Sequence, residues 1–509
     1  MVHTDALDRV EAIRVTNPVD GTTVGEVPQM SGRDVEVAVA ALREHQQAWE
    51  GLGAEARAGW LRRWSDWLWD HELELVALLQ AETGKPRVEA GLELGMAMDL
   101  LNYYAKRSSR FLAEDTPLPH NLLTSSRRLR TVHRPYPVVG VIVPWNFPLG
   151  LALFDAVPAL LAGAGVVLKP SEFTPVTVRR VVEGWREIGA PGVLTAVTGY
   201  AEVGEVLVDT VDYVQFTGST RTGRLVAARA AARPIPCGLE LGGKDPALVL
   251  DDADVDTAAR GVVFGALSNL GQMCTSIERV YVADSIHDAF VSRVVHQVRG
   301  LRQVADTGHR TDLGAMTTAA QADLVMAHVA DAVAKGATTV LGGERDGQLV
   351  RPTVLVDVDH TMDVMTEETF GPIIPIMRVA DDDEAVRLAN DSEYGLSASV
   401  WTSSTSRGRD VAARIEAGAV DINDVSMHLA CFPVPQAGWK SSGVGGRLGG
   451  AAGVRKFCRP QVVTTSRAHQ PLVSRLAWHP YGPLKAVLLE RSLRALTARG
   501  SRRLKGGAR

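Results

Sequence analysis

Two residues of this sequence have side chains and surroundings suited to acyl transfer. Cys274 lies in the segment Asn269–Thr275 (NLGQMCT), and Glu240 lies in Leu239–Lys244 (LELGGK). A thiol is a good nucleophile only as its thiolate, so it needs a positive environment or a nearby base. A carboxylate can supply that base, or it can activate a water molecule later in the reaction. The pair therefore indicates chemistry through a thioester.

A third residue completes this set. Asn146, in Pro144–Pro148 (PWNFP), has a side-chain amide that can donate a hydrogen bond to an oxyanion. Nucleophile, base and oxyanion donor are the groups that acyl transfer requires. The remaining thiols are interpreted as buried structural cysteines, the usual role of an unpaired Cys; they are Cys237, Cys431 and Cys458.

The sequence resembles the aldehyde dehydrogenase superfamily. The three segments above occur in that family's order and at about its spacing, together with Lys169–Glu172 (KPSE), Phe216–Thr220 (FTGST) and Glu367–Pro372 (EETFGP). The resemblance runs from about residue 15 to about residue 465. It implies an α/β fold with a Rossmann-like cofactor domain (1–121 and 136–242), an α/β catalytic domain (243–448) and a small β arm for oligomerisation (122–135 and 449–470). Residues 471–509 would form a basic C-terminal extension.

The order of predicted elements agrees with such a fold. Residues 33 to 114 have apolar side chains at helical spacing. From residue 138 short apolar strands alternate with helices, which predicts a mainly parallel sheet, and a second alternating series runs from 260 to 430. The segment Ser126–Arg134 alternates polar and apolar residues and predicts an exposed hairpin, which the family uses for subunit contact.

Composition excludes several classes of protein. The chain has 509 residues, 46% of them hydrophobic and 22% charged, which predicts a globular protein with more than one core. A net charge of −5 argues against nucleic acid as a partner. Four Cys residues without metal-site spacing predict neither a disulfide framework nor a metal site. Met1–Val10 has no signal-like apolar run, and the apolar stretches are strand-sized, so a cytoplasmic location is expected.

A nicotinamide cofactor is implied by the resemblance, although the usual G-x-G-x-x-G turn does not follow the first strands. Gly218 and Ser219 lie between a strand and a helix, where they predict either an anion site or an ordinary helix cap. The resemblance implies the former, for the cofactor pyrophosphate. An acid at Glu172 would repel a 2′-phosphate and favours NAD, but relatives with the same segment accept NADP, so both stay open. The other implied cofactor residues are Trp145, Lys169, Leu241, Glu368 and Phe370.

The resemblance also implies a mechanism. Cys274 would attack an aldehyde, Asn146 and the Cys274 N–H would stabilise the oxyanion, and Glu240 would activate water to hydrolyse the thioester. A CoA-acylating relative would not need that acid. A papain-like hydrolase would need a His such as His428, which nothing in the sequence connects to Cys274. A non-catalytic role is the remaining alternative.

Substrate class is where the resemblance and the residues disagree. The segment Ser276–Val282 and the extended tail are similar to succinate-semialdehyde dehydrogenases, whose substrate carboxylate needs a cation. The positions where that subgroup places Arg hold Phe154 and Ser268. Arg179, Arg180 or Arg447 could supply the charge instead. An apolar or aromatic aldehyde is the alternative, and it fits Phe154, Trp145 and Phe432.

Two further departures concern the C-terminal part. The Arg-Glu pair of the family is replaced by Gly446-Arg447, so the proton or water relay given to that Glu in some relatives is not carried over. Beyond the family core, Leu484–Ala498 has apolar residues at helical spacing and a basic polar side. Such a helix can lie on an anionic membrane surface or pack on a neighbouring subunit. The segments 126–134 and 461–465 (QVVTT) are expected to pair within or between subunits, and a homodimer or homotetramer is expected.

Overall fold

The computed structural model describes residues 11–121, 124–304, 308–467 and 477–503. The chain divides into a larger unit, Met1–Phe111 with Pro135–Phe457, and a smaller unit, Leu112–Arg134 with Cys458–Arg509. The expectation for Met1–Val10 falls outside the described residues, as do parts of the predicted arm and of the C-terminal extension. The division into cofactor, catalytic and arm domains remains a prediction.

The helices and strands are numbered in chain order. The strands are β1 (Ala12–Thr16), β2 (Thr23–Pro28), β3 (Arg127–Pro135), β4 (Val138–Ile142), β5 (Gly165–Lys169), β6 (Leu194–Ala196), β7 (Tyr213–Thr217), β8 (Cys237–Glu240), β9 (Asp245–Val249), β10 (Ile277–Ala283), β11 (Thr338–Leu341), β12 (Arg345–Asp346), β13 (Leu349–Val350), β14 (Thr353–Val356), β15 (Ile373–Val379), β16 (Tyr394–Gly395), β17 (Ser397–Trp401), β18 (Ala419–Ile422), β19 (Pro435–Gln436), β20 (Trp439–Lys440), β21 (Gly443–Val444), β22 (Arg447–Leu448) and β23 (Cys458–Ser466). The helices of the larger unit are α1 (Gly32–Gly51), α2 (Ala54–Asp70), α3 (Glu72–Thr83), α4 (Arg87–Phe111), α5 (Pro148–Ala162), α6 (Val176–Glu187), α7 (Ala201–Thr210), α8 (Thr220–Ala232), α9 (Val255–Leu267), α10 (His287–Arg299), α11 (Ala319–Ala334), α12 (Asp363–Thr366), α13 (Asp382–Asn390), α14 (Thr405–Ala412) and α15 (Ala451–Arg455).

The first large sheet of the larger unit has the strand order β21-β8-β7-β4-β5-β6. Strands β4 to β8 are parallel, and β21 adds an antiparallel edge against β8. Side chains such as Val139, Val167 and Val214 are completely buried, as expected for a parallel sheet covered on both faces. The strand order reverses at β4, because β5 lies on one side of it and β7 on the other. Ligands of open α/β sheets bind at such a point.

The second large sheet has the order β11-β14-β15-β10-β9-β17-β18. Strands β9, β10, β15, β17 and β18 are parallel to their neighbours, while β11 and β14 are antiparallel to each other. Its central strand β10 is buried along its whole length. The segment between β9 and β10 therefore connects two strands of the buried sheet. Cys274 lies in this segment, just before β10. This confirms the prediction of two alternating strand–helix series.

Helices α1 to α4 fill the range predicted to be helical. Helix α1 starts with a capping box, in which the Ser31 side chain accepts from the Asp34 N–H and the Asp34 carboxylate accepts from the Ser31 N–H. Trp49 and Trp64 both make edge-on contacts with Trp185 of α6, with ring centroids 5.8 and 5.3 Å apart. None of the described helices combines the length and the apolar character needed to cross a membrane.

The smaller unit corrects one prediction. Residues 127–135 form the single strand β3, which pairs with β23 in a two-stranded sheet, so the predicted hairpin within Ser126–Arg134 is wrong. The alternation indicated a strand, but the segment has no Gly or Asn-Gly to make the tight turn of a hairpin. The predicted pairing of this segment with residues 461–465 is confirmed. A helix follows at Pro483–Thr497, which we call the tail helix, and none of its side chains is buried.

Candidate active site

Asn146 lies in the loop between β4 and α5. The residue is 3% exposed, and its Nδ2 donates to the backbone carbonyl of Gln272 at 2.9 Å. The amide group of Asn146 thus reaches the segment of Cys274. Its buried Oδ1 has no hydrogen-bond partner among the described residues. A side-chain amide nitrogen carries two hydrogens, so one is left to donate to a ligand oxygen.

A buried ion pair holds the backbone of Asn146. Lys85 Nζ donates to the Asn146 carbonyl at 2.8 Å and to Glu93 Oε2 at 2.5 Å. Glu93 Oε1 accepts from the N–H groups of Leu149 and Gly150, each at 2.9 Å, at the start of α5. Buried ions are tolerated when their hydrogen bonds are made, as here. Sequence reasoning missed this pair, although Glu93 shares the apolar face of α4, and a charge on such a face was an available signal.

The segment before Cys274 has an unusual backbone. Asn269, Leu270 and Gly271 adopt φ values of 48°, 56° and 72°, in the left-handed region that non-glycine residues seldom occupy. Asn269 Nδ2 donates to the carbonyls of Asn146 at 3.1 Å and of Gln272 at 3.2 Å, which stabilises this turn. A Cβ on Gly271 would lie 2.4 Å from the carbonyl oxygen of Gly371, so only glycine fits. Strain of this kind concentrates at functional sites.

Glu240 ends strand β8, between Gly443 of β21 and Thr217 of β7. It is 7% exposed, and burial raises the pKa of its carboxyl to about 7. The charges of Arg447 and Lys456 limit that rise, while the charge of Asp155 adds to it. A carboxyl with this pKa can accept a proton and release it again near neutral pH.

The Cys274 thiol is in a less favourable state. Burial raises its pKa to about 12, the negative charges of Asp245 and Glu240 add to the rise, and Arg447 opposes it. The thiol is therefore protonated at neutral pH in this state, and its activation requires a base. The Glu240 carboxylate is close enough to affect the pKa of Cys274, which makes Glu240 a candidate for this base.

Two glycines bring the segments of Glu240, Cys274 and Glu368 together. A Cβ on Gly243 would lie 2.3 Å from the Cys274 carbonyl oxygen, and one on Gly242 would lie 2.5 Å from Glu368 Oε2. The N–H of Gly243 donates to Glu368 Oε1 at 3.0 Å. Burial raises the pKa of Glu368 to about 8. The two glycines of LELGGK thus let this backbone approach the Glu368 side chain and the Cys274 carbonyl closely.

A second buried ion pair fixes the segment of Glu368 and Phe370. Lys244 Nζ donates to Glu278 Oε2 at 2.6 Å, and the Glu278 carboxylate accepts from the N–H groups of Thr369 and Phe370, both at 2.7 Å. The Phe370 ring meets Trp145 edge-on, with centroids 5.5 Å apart. Glu278 was not predicted as a site residue; its position, four residues after Cys274 in a fully buried strand, was the available signal.

The predicted adenosine and pyrophosphate residues lie at the carboxyl ends of β5 and β7, on either side of β4. Lys169 is 6% exposed, burial lowers the pKa of its ammonium, and its Nζ donates to the Pro170 carbonyl at 3.4 Å. The Ser171 hydroxyl donates to Glu172 at 3.3 Å. Ser219 caps α8 by accepting from the Thr222 N–H, as the alternative interpretation of this motif predicted.

The backbones of Gly218, which follows β7, and Leu241, which follows β8, are also held by hydrogen bonds. The Gly218 N–H donates to the Glu240 carbonyl at 3.1 Å, and the Leu241 N–H donates to the Ser442 carbonyl at 2.9 Å. Leu241 is buried, and a Cβ on Gly223 would lie 2.4 Å from its side chain. A buried ammonium with a weak partner, at the strand-order reversal, is a suitable place for a polar dinucleotide. The residues present therefore fit a nicotinamide cofactor.

No metal centre emerges from this geometry. Over the described ranges, no group of three or more His, Cys, Asp and Glu side chains is arranged to hold a metal ion. None of the four cysteines, all of which lie in the described ranges, forms a disulfide, and the expectation of a buried thiol is wrong for Cys431, which is exposed. The candidate site brings together a thiol, a carboxyl and a side-chain amide near the carboxyl ends of parallel strands.

Comparison with known proteins identifies the class of this fold and site. The model of the aldehyde dehydrogenase family matches residues 5–463. The chain belongs to the aldehyde dehydrogenase family, which confirms the predicted family and α/β fold class.

Two relatives show how far the likeness extends. The chain is 38% identical over 474 residues to a 4,4'-diapolycopene aldehyde oxidase of Methylomonas sp., covering 92% of this chain and 88% of the relative. It is 37% identical over 474 residues to a protein of Mycolicibacterium smegmatis provisionally named as a succinate-semialdehyde dehydrogenase for NADP⁺, covering 92% and 91%. The two names differ in substrate.

Solved structures agree with the assignment of the family. An aldehyde dehydrogenase from Anabaena variabilis, provisionally so named, has a TM-score of 0.87 at 37% identity, covering 91% of this chain and 99% of that one. An NAD-dependent aldehyde dehydrogenase from Sinorhizobium meliloti has a TM-score of 0.85 at 37% identity, covering 91% and 92%. An NADP-dependent glyceraldehyde-3-phosphate dehydrogenase from Bacillus halodurans C-125 has a TM-score of 0.86 at 34% identity, covering 90% and 96%. Both cofactors considered from the sequence therefore occur among similar structures.

Proposed function

We propose that this protein oxidises an apolar or aromatic aldehyde to the carboxylic acid, with NAD or NADP as the oxidant and Cys274 as the nucleophile. The observation that carries the proposal is the meeting of three segments: Asn146 bonds to the Cys274 segment, and Gly243 packs the Glu240 segment against the Cys274 carbonyl. Nucleophile, base and oxyanion donor are thereby held on neighbouring backbone.

The first half of the reaction forms the thioester. The Cys274 thiol, whose pKa is raised to about 12, gives up its proton to Glu240 or to solvent hydroxide. The thiolate attacks the aldehyde carbon, and the resulting oxyanion accepts hydrogen bonds from Asn146 Nδ2 and the Cys274 N–H. A bound nicotinamide would supply the acceptor for the hydride that leaves this carbon. The residues that would hold the cofactor are Lys169, Glu172, Gly218, Ser219, Leu241, Glu368, Phe370 and Trp145.

The second half releases the acid. Glu240, once its proton has been passed on to solvent, takes a proton from a water molecule as the water oxygen attacks the thioester carbon. The carbon–sulfur bond breaks, Cys274 leaves as a thiolate, and the carboxylic acid departs. Burial raises the pKa of the Glu240 carboxyl to about 7, so Glu240 can both accept and release a proton near neutral pH.

The substrate class rests on what surrounds Phe154. Its ring meets Phe432 edge-on with centroids 6.1 Å apart, and Phe432 in turn lies 5.8 Å from Tyr103. Phe154 and Phe432 are 7% and 3% exposed. These residues present aromatic surface at the position where succinate-semialdehyde dehydrogenases place a cation. An uncharged aldehyde suits such a surface, because an unpaired carboxylate there would lose its hydration without compensation.

The three arginines considered as substitutes for that cation already have acidic partners. Arg447 pairs with Asp155 at 2.7 Å, and Arg180 pairs with Glu74 at 2.6 Å and Glu187 at 2.8 Å. Arg179 lies 3.9 Å from Glu183. At the other expected position, Ser268 donates its hydroxyl to the Phe264 carbonyl.

Succinate semialdehyde is the second candidate, because several relatives carry that name. The experiment that separates the two compares kcat/KM for benzaldehyde, hexanal and succinate semialdehyde with each cofactor. We expect the uncharged aldehydes to be preferred by more than about tenfold, or roughly 1.4 kcal/mol. A tenfold preference for the semialdehyde would overturn the apolar assignment. No reduction of either cofactor with any aldehyde would overturn the activity itself.

A further inference from the structure

A cluster of charges is buried against β7, the strand next to Glu240. Asp155 of α5 is completely buried, and it pairs with Arg447 at 2.7 Å and with Lys456 at 3.1 Å. The Arg447 and Lys456 side chains are 5% and 14% exposed. Two cations therefore share one carboxylate.

The cluster is rigidly bonded to the strand beside Glu240. Arg447 donates from both Nε and Nη2 to Asp155 Oδ2, and from Nη2 to the Thr217 hydroxyl. Lys456 Nζ donates to Gln215 Oε1 and to the Gly446 carbonyl, each at 3.0 Å. In the parallel pairing of β7 with β8, Thr217 is the register partner of Glu240. The positive charges are thus fixed one strand away from the acid.

Charge balance connects this cluster to Glu240. Asp155 compensates one of the two cations and leaves one positive charge in a buried region, which is unfavourable without a counter-ion. The Glu240 carboxylate is the nearby acid that could balance it. Both cations oppose the rise in the pKa of Glu240, and Asp155 promotes it. The carboxylates of Asp155 and Glu240 likewise raise the pKa of Arg447 against the opposing effect of its burial.

We propose that Arg447, held by Asp155 and assisted by Lys456, is a positioning residue that keeps Glu240 ionised and so sets the pH range in which the acyl group is released from Cys274. The inference rests on the proposed function of Glu240. In the resemblance described above, this position is a Glu that takes part in a relay. An arginine does not release its proton, so its contribution here is a fixed charge.

Other groups around Glu240 must be considered in any pH dependence. They are Asp155, Arg447 and Lys456 of the cluster, Tyr213 of β7, Cys274, and Glu368 across Gly242. Burial raises the pKa of Tyr213 far above neutrality, so Tyr213 does not titrate in the relevant range. The Glu368 carboxyl, with its pKa of about 8, is distinguished from Glu240 by the variants below.

The test uses p-nitrophenyl acetate and no cofactor. Its acetyl group passes to Cys274 Sγ with release of nitrophenolate, seen as a burst, and water then hydrolyses the acetyl-enzyme in the steady state. The steady rate is measured across pH, and its fall on the acid side gives the apparent pKa for deacylation. Removing a neighbouring opposite charge typically raises a carboxyl pKa by about one unit or more. For Arg447→Met we therefore expect the acid side of the profile to move up by about one pH unit, which lowers the rate there about tenfold.

Two companion variants make the expectation specific. Asp155→Asn should move the acid side to lower pH, because it removes a negative charge and leaves Arg447 free to face Glu240. Arg447→Lys keeps the charge and should leave the profile near that of the wild type. A purely structural role would lower rates in both non-conservative variants without opposite shifts in pH. An unmoved profile in folded Arg447→Met would overturn the inference.

Failure of the inference is kept distinct from failure of the proposed function. Glu240→Gln should abolish the acid-side fall; if that fall persists unchanged, Glu240 is not the base and the proposed function is wrong. If Arg447→Met does not fold by circular dichroism, Lys456→Met replaces it, since this residue is less buried and its removal should shift the profile in the same direction. The absence of any shift in folded Lys456→Met would then overturn the proposal.

Discussion

The side-chain amide of Asn146 donates a 2.9 Å hydrogen bond to the carbonyl of Gln272, two residues before Cys274. This contact joins the loop after β4 of one sheet to the segment before β10 of the other. Lys85 and Asn269 hold the Asn146 carbonyl from two further directions. The amide is therefore preorganised, which is the condition under which a donor stabilises an oxyanion strongly.

Asn146→Ala should lower kcat/KM for aldehydes by about 10²–10³-fold, because one oxyanion donor is lost. Alkylation of Cys274 by iodoacetamide produces no oxyanion at carbon, so its rate should change little in the same variant. Aldehyde kinetics and alkylation rates, measured side by side, check both expectations. An equal loss in the two reactions would indicate that the nucleophile itself had moved.

Cys274→Ala should abolish aldehyde oxidation, whereas Glu240→Gln should slow release of the acyl group more than its formation. Glutamine can accept a hydrogen bond but cannot take the proton of the attacking water. Intact-protein mass spectrometry after mixing with aldehyde and cofactor should show the acyl adduct on Glu240→Gln. Cys237→Ala, at a half-buried thiol outside the site, is the matched control and should keep full activity.

Lys85→Met should destabilise the fold by about 3–5 kcal/mol, because it leaves the buried Glu93 carboxylate without its cation. The free energy of unfolding in urea is the measurement. The exposed pair of Arg62 with Glu55 provides the comparison, and Arg62→Ala should cost less than about 1 kcal/mol. If both variants lost a similar free energy of unfolding, the burial of the Lys85–Glu93 pair would not explain its contribution to stability.

Glu89→Gln should flatten the dependence of stability on pH. Burial raises the pKa of Glu89 from 4.5 to about 7, and its Oε2 has no partner among the described residues. The folded-state pKa is above the unfolded one, so this contribution to stability is complete below the unfolded pKa and is lost as pH rises through about 7. Between about pH 5 and about pH 8, the wild type should lose up to about 3 kcal/mol more than the variant. The free energy of unfolding in urea is measured for both proteins at the two pH values. An equal change with pH in the wild type and in the variant would contradict this prediction.

The protein should be a homodimer or homotetramer. The sheet of β3 and β23 has two strands, with Asp115 bridged to Thr131 of β3, and a sheet of that size is rarely stable by itself. Val462 of β23 is 67% exposed. Light scattering at about micromolar concentration should give a multiple of the chain mass, and Val462→Lys should reduce it. Val37→Lys, at a residue 56% exposed on α1, should not. A monomeric wild type would refute the prediction.

Sequence alone predicted the strands and helices of the larger unit well, because apolar runs such as Val138–Val143 are bounded by clear turns and are buried in parallel sheets. The candidate site residues could be found because each lies in a short, continuous sequence motif. Contacts that join distant positions were not predictable. Asp155 meets Arg447 across 292 positions and Lys244 meets Glu278 across 34, and a charged residue in a helix or strand carries no local mark of its partner.

The hairpin error has a related cause. Alternation along residues 126–134 indicates a strand with two different faces, but it does not identify the strand opposite. That partner, β23, lies more than three hundred positions later in the chain. The hairpin within residues 126–134 was therefore the wrong expectation, whereas the strand-like pattern of residues 461–465 did indicate the partner that β3 has.

The close approach of Gly271 to the Gly371 carbonyl has a consequence for redesign of this protein. Neither backbone has room for one added methyl group, so the segment carrying Glu368 and Phe370 and the segment carrying Cys274 are mechanically coupled. We expect substitutions that reshape the Glu368–Phe370 segment to displace the Cys274 segment. They should therefore alter the reactivity of the Cys274 thiol as well as cofactor binding. Lys169 and Glu172 lie at the end of β5 in the other sheet, where their hydrogen-bond partners among the described residues are Pro170 and Ser171 and not the Cys274 segment. Attempts to exchange NAD for NADP preference should therefore begin at those two positions.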